Sequence, residues 1–137
     1  MVFIMNEKKI LVVDDEVLIL DLLREVFQSA GYTVLTAESG EEALKILQHE
    51  SIMVMFLDIK LPGISGIELC KKIRVENQIC VIHAMTGYNN IYGLLECRAV
   101  GFDDFFVKPV RMNLLKKAAQ DAFEKLERWD IVGHELA

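Results

Sequence analysis

Long hydrophobic runs are missing from this chain. The longest covers about six residues, Ile52 to Leu57, which is strand length and far short of the roughly 18 residues that span a bilayer. Met1-Val2-Phe3-Ile4-Met5 is apolar but too short for a signal peptide, and Asn6-Glu7-Lys8-Lys9 follows it. A soluble cytoplasmic protein with no membrane partner is the expectation. Runs of Lys and Arg are missing too, and the net charge is −6. A nucleic-acid binder needs a basic patch to neutralise phosphates, so direct nucleic-acid binding is not expected. Cysteine is scarce: Cys70, Cys80 and Cys97 are odd in number and lack CxxC spacing, and they read as reduced, buried thiols. There is no internal repeat, low-complexity stretch or interdomain linker. What remains is 137 residues with 53% apolar content, enough for one domain with one core.

Short apolar runs alternate with helix-period stretches. Ile10–Val13, Met53–Leu57, Cys80–Met85 and Phe105–Val107 read as strands buried on both faces, and Tyr32–Ala37 as one more. Between them, Glu16–Ala30 places Ile19, Leu22, Leu23, Val26 and Phe27 on one helix face, and Gly31 stops it. Ser39 caps a helix over Gly40–His49, and Ser65 caps one over Gly66–Val75. In each, a glutamate stands three positions on, at capping-box spacing. Asn89–Val100 is a weaker helix because Gly93 interrupts it. The last helix is expected over Arg111–Arg128, with Leu114, Leu115, Ala118, Ala119, Ala122, Phe123 and Leu126 as its apolar stripe. Five strands alternating with five helices imply an α/β fold, a doubly wound parallel sheet with right-handed crossovers. The domain is expected over residues 8–128. Residues 1–7 form a short extension, and 129–137 form a tail too short for an effector domain, either a linker stub or a prolonged helix.

Four of the strands end in polar groups: Asp14 and Asp15 after the first, Asp58 after the third, Thr86 after the fourth and Lys108 after the fifth. In an open parallel sheet the carboxyl edge is the ligand-binding edge. Three carboxylates gathered there repel one another unless a cation joins them. Hard oxygen donors of this kind suit Mg²⁺. Asp58 then has the chemistry of a nucleophile that forms an acyl phosphate. Thr86 can hydrogen-bond a phosphoryl oxygen, and Lys108 can neutralise another. Gly87 leaves room for a phosphoryl group at the backbone. A cis bond before Pro109 would fix the loop that aims Lys108.

Taken together, Ile10-Leu-Val-Val-Asp-Asp-Glu16, Leu57-Asp-Ile-Lys-Leu-Pro-Gly63, Met85-Thr-Gly87 and Phe105-Phe-Val-Lys-Pro109 resemble the receiver domain of two-component response regulators, in its single-domain, chemotaxis-regulator-like form. The resemblance implies a flavodoxin-like sheet in the order 2-1-3-4-5. It implies that Asp58 accepts a phosphoryl group from a histidine kinase or histidine phosphotransfer protein. Asp15, Asp58 and the Lys60 carbonyl would bind Mg²⁺ directly, with Asp14 acting partly through water. Thr86 and Lys108 would contact the phosphoryl group, and Phe105 would be the switch aromatic. Phe105 stands where many relatives have Tyr, so an inward state would rest on packing alone. The fourth helix, fifth strand and fifth helix would form the output face toward a downstream protein partner. The chain would not be an enzyme beyond its own phosphorylation and dephosphorylation.

Other readings fit less well. An aspartyl phosphatase of this fold places a second acid two residues after its nucleophile, and here that position is Lys60. A flavin carrier needs a phosphate-cradling loop after the first strand, where this chain has Asp14-Asp15-Glu16. A pseudo-receiver that binds without being phosphorylated would have no need of the complete acidic, hydroxyl and lysine set. His83 falls on the strand face opposite Thr86 and reads as a satisfied core histidine. Met53 replaces a common Asp, and the loop Pro109-Val-Arg-Met-Asn113 lacks the acidic-leucine pattern of the DNA-binding subfamily. Lys60 and Tyr88 stand two residues after Asp58 and Thr86, where the family tunes phosphoaspartate lifetime. Tyr88 is expected to screen the acyl phosphate from water. Tyr88→Ala should therefore speed loss of the phosphoryl group, followed by intact mass over time; an unchanged decay would rule the screen out.

Overall fold

The computed structural model describes residues 7–87 and 91–136. Its elements run β1 (Lys9–Val13), α1 (Val17–Ser29), β2 (Thr33–Ala37), α2 (Gly40–His49), β3 (Val54–Asp58), α3 (Gly66–Glu76), β4 (Val81–Thr86), α4 (Ile91–Val100), β5 (Asp104–Val107) and α5 (Met112–Leu136). The five strands form one parallel sheet in the order β2-β1-β3-β4-β5. Alternation along the strands divides the core in two. Leu11, Val13, Met55, Leu57, Ile82 and Ala84 face α2, α3 and α4. Ile10, Val12, Val54, Phe56, Val81 and Met85 face α1 and α5. A strand with apolar groups on both faces has to be covered twice, which is why continuous apolar runs mark this architecture. Only the three central strands are buried throughout or nearly so; β2 and β5 are edge strands and half-exposed.

Local chemistry sets the helix starts. Ser39 Oγ accepts the Glu42 N–H at 3.1 Å, and Ser65 Oγ accepts the Glu68 N–H at 3.2 Å. Each satisfies one of the donors that a helix start leaves unpaired. The expected faces need two corrections. In α1 the buried residues are Leu20, Leu23 and Phe27, while Leu22 lies outward. Positions 20, 23 and 27 are one helical stripe, and Leu22 falls off it. In α5, Leu114 is exposed and the stripe begins at Leu115. That helix also passes Arg128 and continues to Leu136. The apolar stripe ends at Leu126, and neither proline nor glycine stands in the next six residues to stop the backbone. Tyr88 and Asn89, like the first six residues, lie outside the described residues.

The three cysteines are buried and free. Burial pushes the Cys70 and Cys80 thiols up to about 11, which leaves them protonated and inert. His83 is buried as a core residue. Its Nδ1–H donates to the Met55 carbonyl at 2.8 Å, and its ring stacks on Phe56 with centroids 4.1 Å apart. Burial holds its pKa below the usual value. Among the described residues no helix is long and apolar enough to cross a membrane.

Candidate functional site

Parallel pairing brings the strand ends to one edge. Asp58 is the last residue of β3 and lies opposite Met85; Thr86 is the last of β4 and lies opposite Val107. The loops leave that edge under hydrogen-bond control. Asp14 N–H donates to Ala37 O at 3.1 Å, Ile59 N–H to Met85 O at 3.0 Å, and Lys108 N–H to Thr86 O at 2.8 Å. Gly66 approaches so closely that a Cβ there would collide with the Asp58 carbonyl, so only glycine lets α3 begin against β3. A Cβ at Gly87 would meet nothing within 4 Å, so packing does not require that glycine. The bond between Lys108 and Pro109 is cis.

The site holds three buried polar side chains: Asp14 is 0% exposed, Asp58 5% and Thr86 2%. Asp15 is exposed beside them. Each of Asp14, Asp15 and Asp58 offers a carboxylate oxygen, and these atoms lie within 4.8 Å of one another. The Lys108 ammonium joins two of them, at 2.7 Å from Asp14 Oδ2 and 3.2 Å from Asp58 Oδ2. The remaining oxygens take backbone donors: Glu16 N–H reaches Asp14 Oδ1 at 2.9 Å, and Lys60 N–H reaches Asp58 Oδ1 at 3.3 Å. Sequence reasoning foresaw this set of residues but gave Asp14 only to the metal. Its direct bond to Lys108 spans 94 positions, and no local pattern announces it. Phe105 is half-buried against the α2, α3 and α4 side, and Phe106 packs on the other. Lys60 itself is exposed.

Charge in this pocket is under strain. Burial, and then the neighbouring Asp14 carboxylate, raise the Asp58 pKa; the charge and hydrogen bond of Lys108 offset this only in part. Burial works against the Lys108 ammonium, but its bond to Asp14 and the charge of Asp58 outweigh that and raise its pKa. A small divalent cation suits the donor set: three clustered carboxylates with hard oxygens and an excess of negative charge that one lysine does not cancel.

Residues 10–120 match the family described as the response regulator receiver domain. The chain belongs to that family. It is 36% identical over 116 residues to sporulation initiation phosphotransferase F of Bacillus subtilis, covering 85% of this chain and 93% of that protein. Against a cyclic di-GMP phosphodiesterase of Thermotoga maritima it is 35% identical over 107 residues, which cover 78% of this chain but only 28% of that protein. A CheY-like receiver from Methanospirillum hungatei superposes with a TM-score of 0.83 at 30% identity, covering 90% of this chain and 99% of that one. The protein is thus a receiver domain of two-component signalling, with the flavodoxin-like sheet of that family.

The pocket's electrostatics have a direct consequence for stability. A carboxyl group whose pKa is raised by folding stabilises most when protonated, and its contribution is lost as pH rises through the folded value. Lys108→Met leaves Asp14 and Asp58 facing each other without the ammonium. In EDTA at neutral pH this variant should lose roughly 2 kcal/mol of unfolding free energy. The deficit should shrink at a second, mildly acidic pH, as Asp58 in the variant takes up a proton. Urea titrations at the two pH values measure it, and a deficit independent of pH would contradict the account.

Proposed function

We propose that this receiver is a phosphoacceptor switch in which Asp58 takes a phosphoryl group from a histidine kinase or histidine phosphotransfer protein. The observation that carries the reading is the Lys108 ammonium held between Asp14 and Asp58 beside a third carboxylate. An Asp58 oxygen attacks the phosphorus of the donor; its O–P bond forms as the donor's bond to phosphorus breaks and the donor leaves with that electron pair. Asp14, Asp15, Asp58 and the Lys60 carbonyl are the groups to hold Mg²⁺, which would offset charge on the carboxylates and on the transferring phosphoryl oxygens. Lys108, already within 3.2 Å of Asp58 Oδ2, turns from carboxylate to phosphoryl oxygen. The Thr86 hydroxyl follows, and Phe105, on the same face of the sheet, turns inward behind it. The name of the Bacillus relative, a phosphotransferase, supports phosphoryl traffic through such a site.

The unit that acts is residues 8–128, with α5 prolonged through the tail, in the cytoplasm and without nucleic acid as its direct partner. α4, β5 and α5 present Leu94, Leu95, Val107 and Leu114 to solvent, the surface through which a downstream protein would read the switch. Catalysis is limited to the chain's own phosphorylation and dephosphorylation.

Incubation with Mg²⁺ and acetyl phosphate tests the reading by intact mass. The wild type should gain one phosphoryl group and Asp58→Ala none. Omission of Mg²⁺ should abolish the gain, whereas equal labelling of Asp58→Ala would place the acceptor elsewhere. A wild type labelled neither by acetyl phosphate nor by a panel of histidine kinases would make the chain a phosphorylation-independent binding module.

A further inference from the structure

Glu41 stands in the first turn of α2 but does not cap it. Ser39 takes the Glu42 N–H, and the Glu42 carboxylate takes the Glu38 N–H at 3.1 Å. Glu41 reaches instead across 23 positions, where its Oε2 accepts the Ile64 N–H at 3.2 Å. Ile64 belongs to the loop that follows Asp58. Two glycines make the approach possible. Gly63 has φ +74, and a Cβ there would collide with the Glu41 carboxylate. A Cβ at Gly40 would collide with the Ile64 side chain, so the start of α2 and the loop tip are fitted to each other at two points. The base of the same loop is closed by Gly66 N–H donating to Ile59 O at 2.8 Å. Lys60 lies between the two ties, with its N–H on Asp58 Oδ1.

We propose that Glu41 is a positioning residue for the cation site. Its carboxylate anchors the tip of the β3–α3 loop and so sets where the Lys60 carbonyl stands relative to Asp58. This rests on the function proposed above, since it takes Asp14, Asp15, Asp58 and the Lys60 carbonyl as the Mg²⁺ donors. Mg²⁺ demands near-ideal octahedral geometry at a fixed distance. A loop tip free to drift therefore weakens binding without removing a ligand. Glu41 is exposed, so its hydrogen bond to the loop is one of modest strength, and the effect is one of affinity rather than of folding.

Calorimetric titration of the whole chain with Mg²⁺ tests this on wild type, Glu41→Ala and Glu41→Gln, each also unfolded by urea in EDTA. Glutamine keeps an oxygen acceptor for the Ile64 N–H and removes the charge. The Mg²⁺ Kd should rise roughly three- to ten-fold in Glu41→Ala and stay within about two-fold of wild type in Glu41→Gln. The urea midpoints should coincide. At saturating Mg²⁺ the acetyl phosphate labelling rate of Glu41→Ala should match wild type, which separates metal affinity from chemistry. An unchanged Kd in Glu41→Ala would overturn the assignment. So would a Glu41→Gln as weak as Glu41→Ala, because distant charge alone would then explain the loss. A wild type with no Mg²⁺ affinity would overturn the proposed function together with this inference, whereas normal wild-type binding beside an indifferent Glu41→Ala would remove only the role of Glu41.

Discussion

One lysine keeps this site together. Lys108 lies 2.7 Å from Asp14 and 3.2 Å from Asp58, and without it two buried carboxylates would face each other unscreened. The pairing does not cancel the excess: three carboxylates meet one ammonium. Such a site is tense by construction. Burial raises the cost of each charge, and the cluster multiplies it. That tension gives the pocket an affinity for a small cation, and it puts the lysine under competition. Any group that carries more negative charge than Asp14 or Asp58, and arrives with a cation of its own, draws Lys108 away. In the proposed function that group is the phosphoryl on Asp58.

The sheet supplies the precision this competition requires. β1, β3 and β4 are covered on both faces, by α2, α3 and α4 on one and by α1 and α5 on the other. Their ends are therefore as well fixed as any point in the molecule. Asp58 and Thr86 are themselves strand residues, the last of β3 and β4. Asp14 and Lys108 follow β1 and β5 directly, each held by a backbone bond to the neighbouring strand. At the opposite edge Arg74 plays a structural part: its guanidinium bonds the Gly101 and Cys80 carbonyls and the Asp103 carboxylate, tying α3 to the start of β4 and to the turn between α4 and β5. Rigid strands with loops at one edge make an open sheet a scaffold for chemistry it does not itself dictate.

Much of this was readable from the chain. Apolar runs ending in Asp14, Asp58, Thr86 and Lys108 identify strands and site at once, because burial on both faces and a polar strand end leave separate marks. Ser39 and Ser65 announce their helices because capping is local chemistry. Two expectations failed for a shared reason. Leu22 and Leu114 are leucines beside a stripe and not in it, and periodicity alone assigns a wide apolar face without fixing its centre. The reach of α5 to Leu136 was one of two readings left open for the tail, because helix ends are marked only when a stop residue stands there. The bonds from Lys108 to Asp14 and from Glu41 to Ile64 were invisible on principle: they join residues 94 and 23 positions apart, and only the assembled fold brings them together.

The central claim is that Lys108 is shared between a resting state, in which it restrains two carboxylates, and a phosphorylated state, in which it holds the phosphoryl group. A crystal structure of the chain with Mg²⁺ and beryllofluoride, a phosphoryl mimic, tests it most directly. The account predicts the mimic on Asp58, the Lys108 ammonium moved off Asp14 onto a fluorine, and the Thr86 hydroxyl turned toward the same group. Beryllofluoride bound on Asp58 with Lys108 still on Asp14 and Asp58 would contradict it.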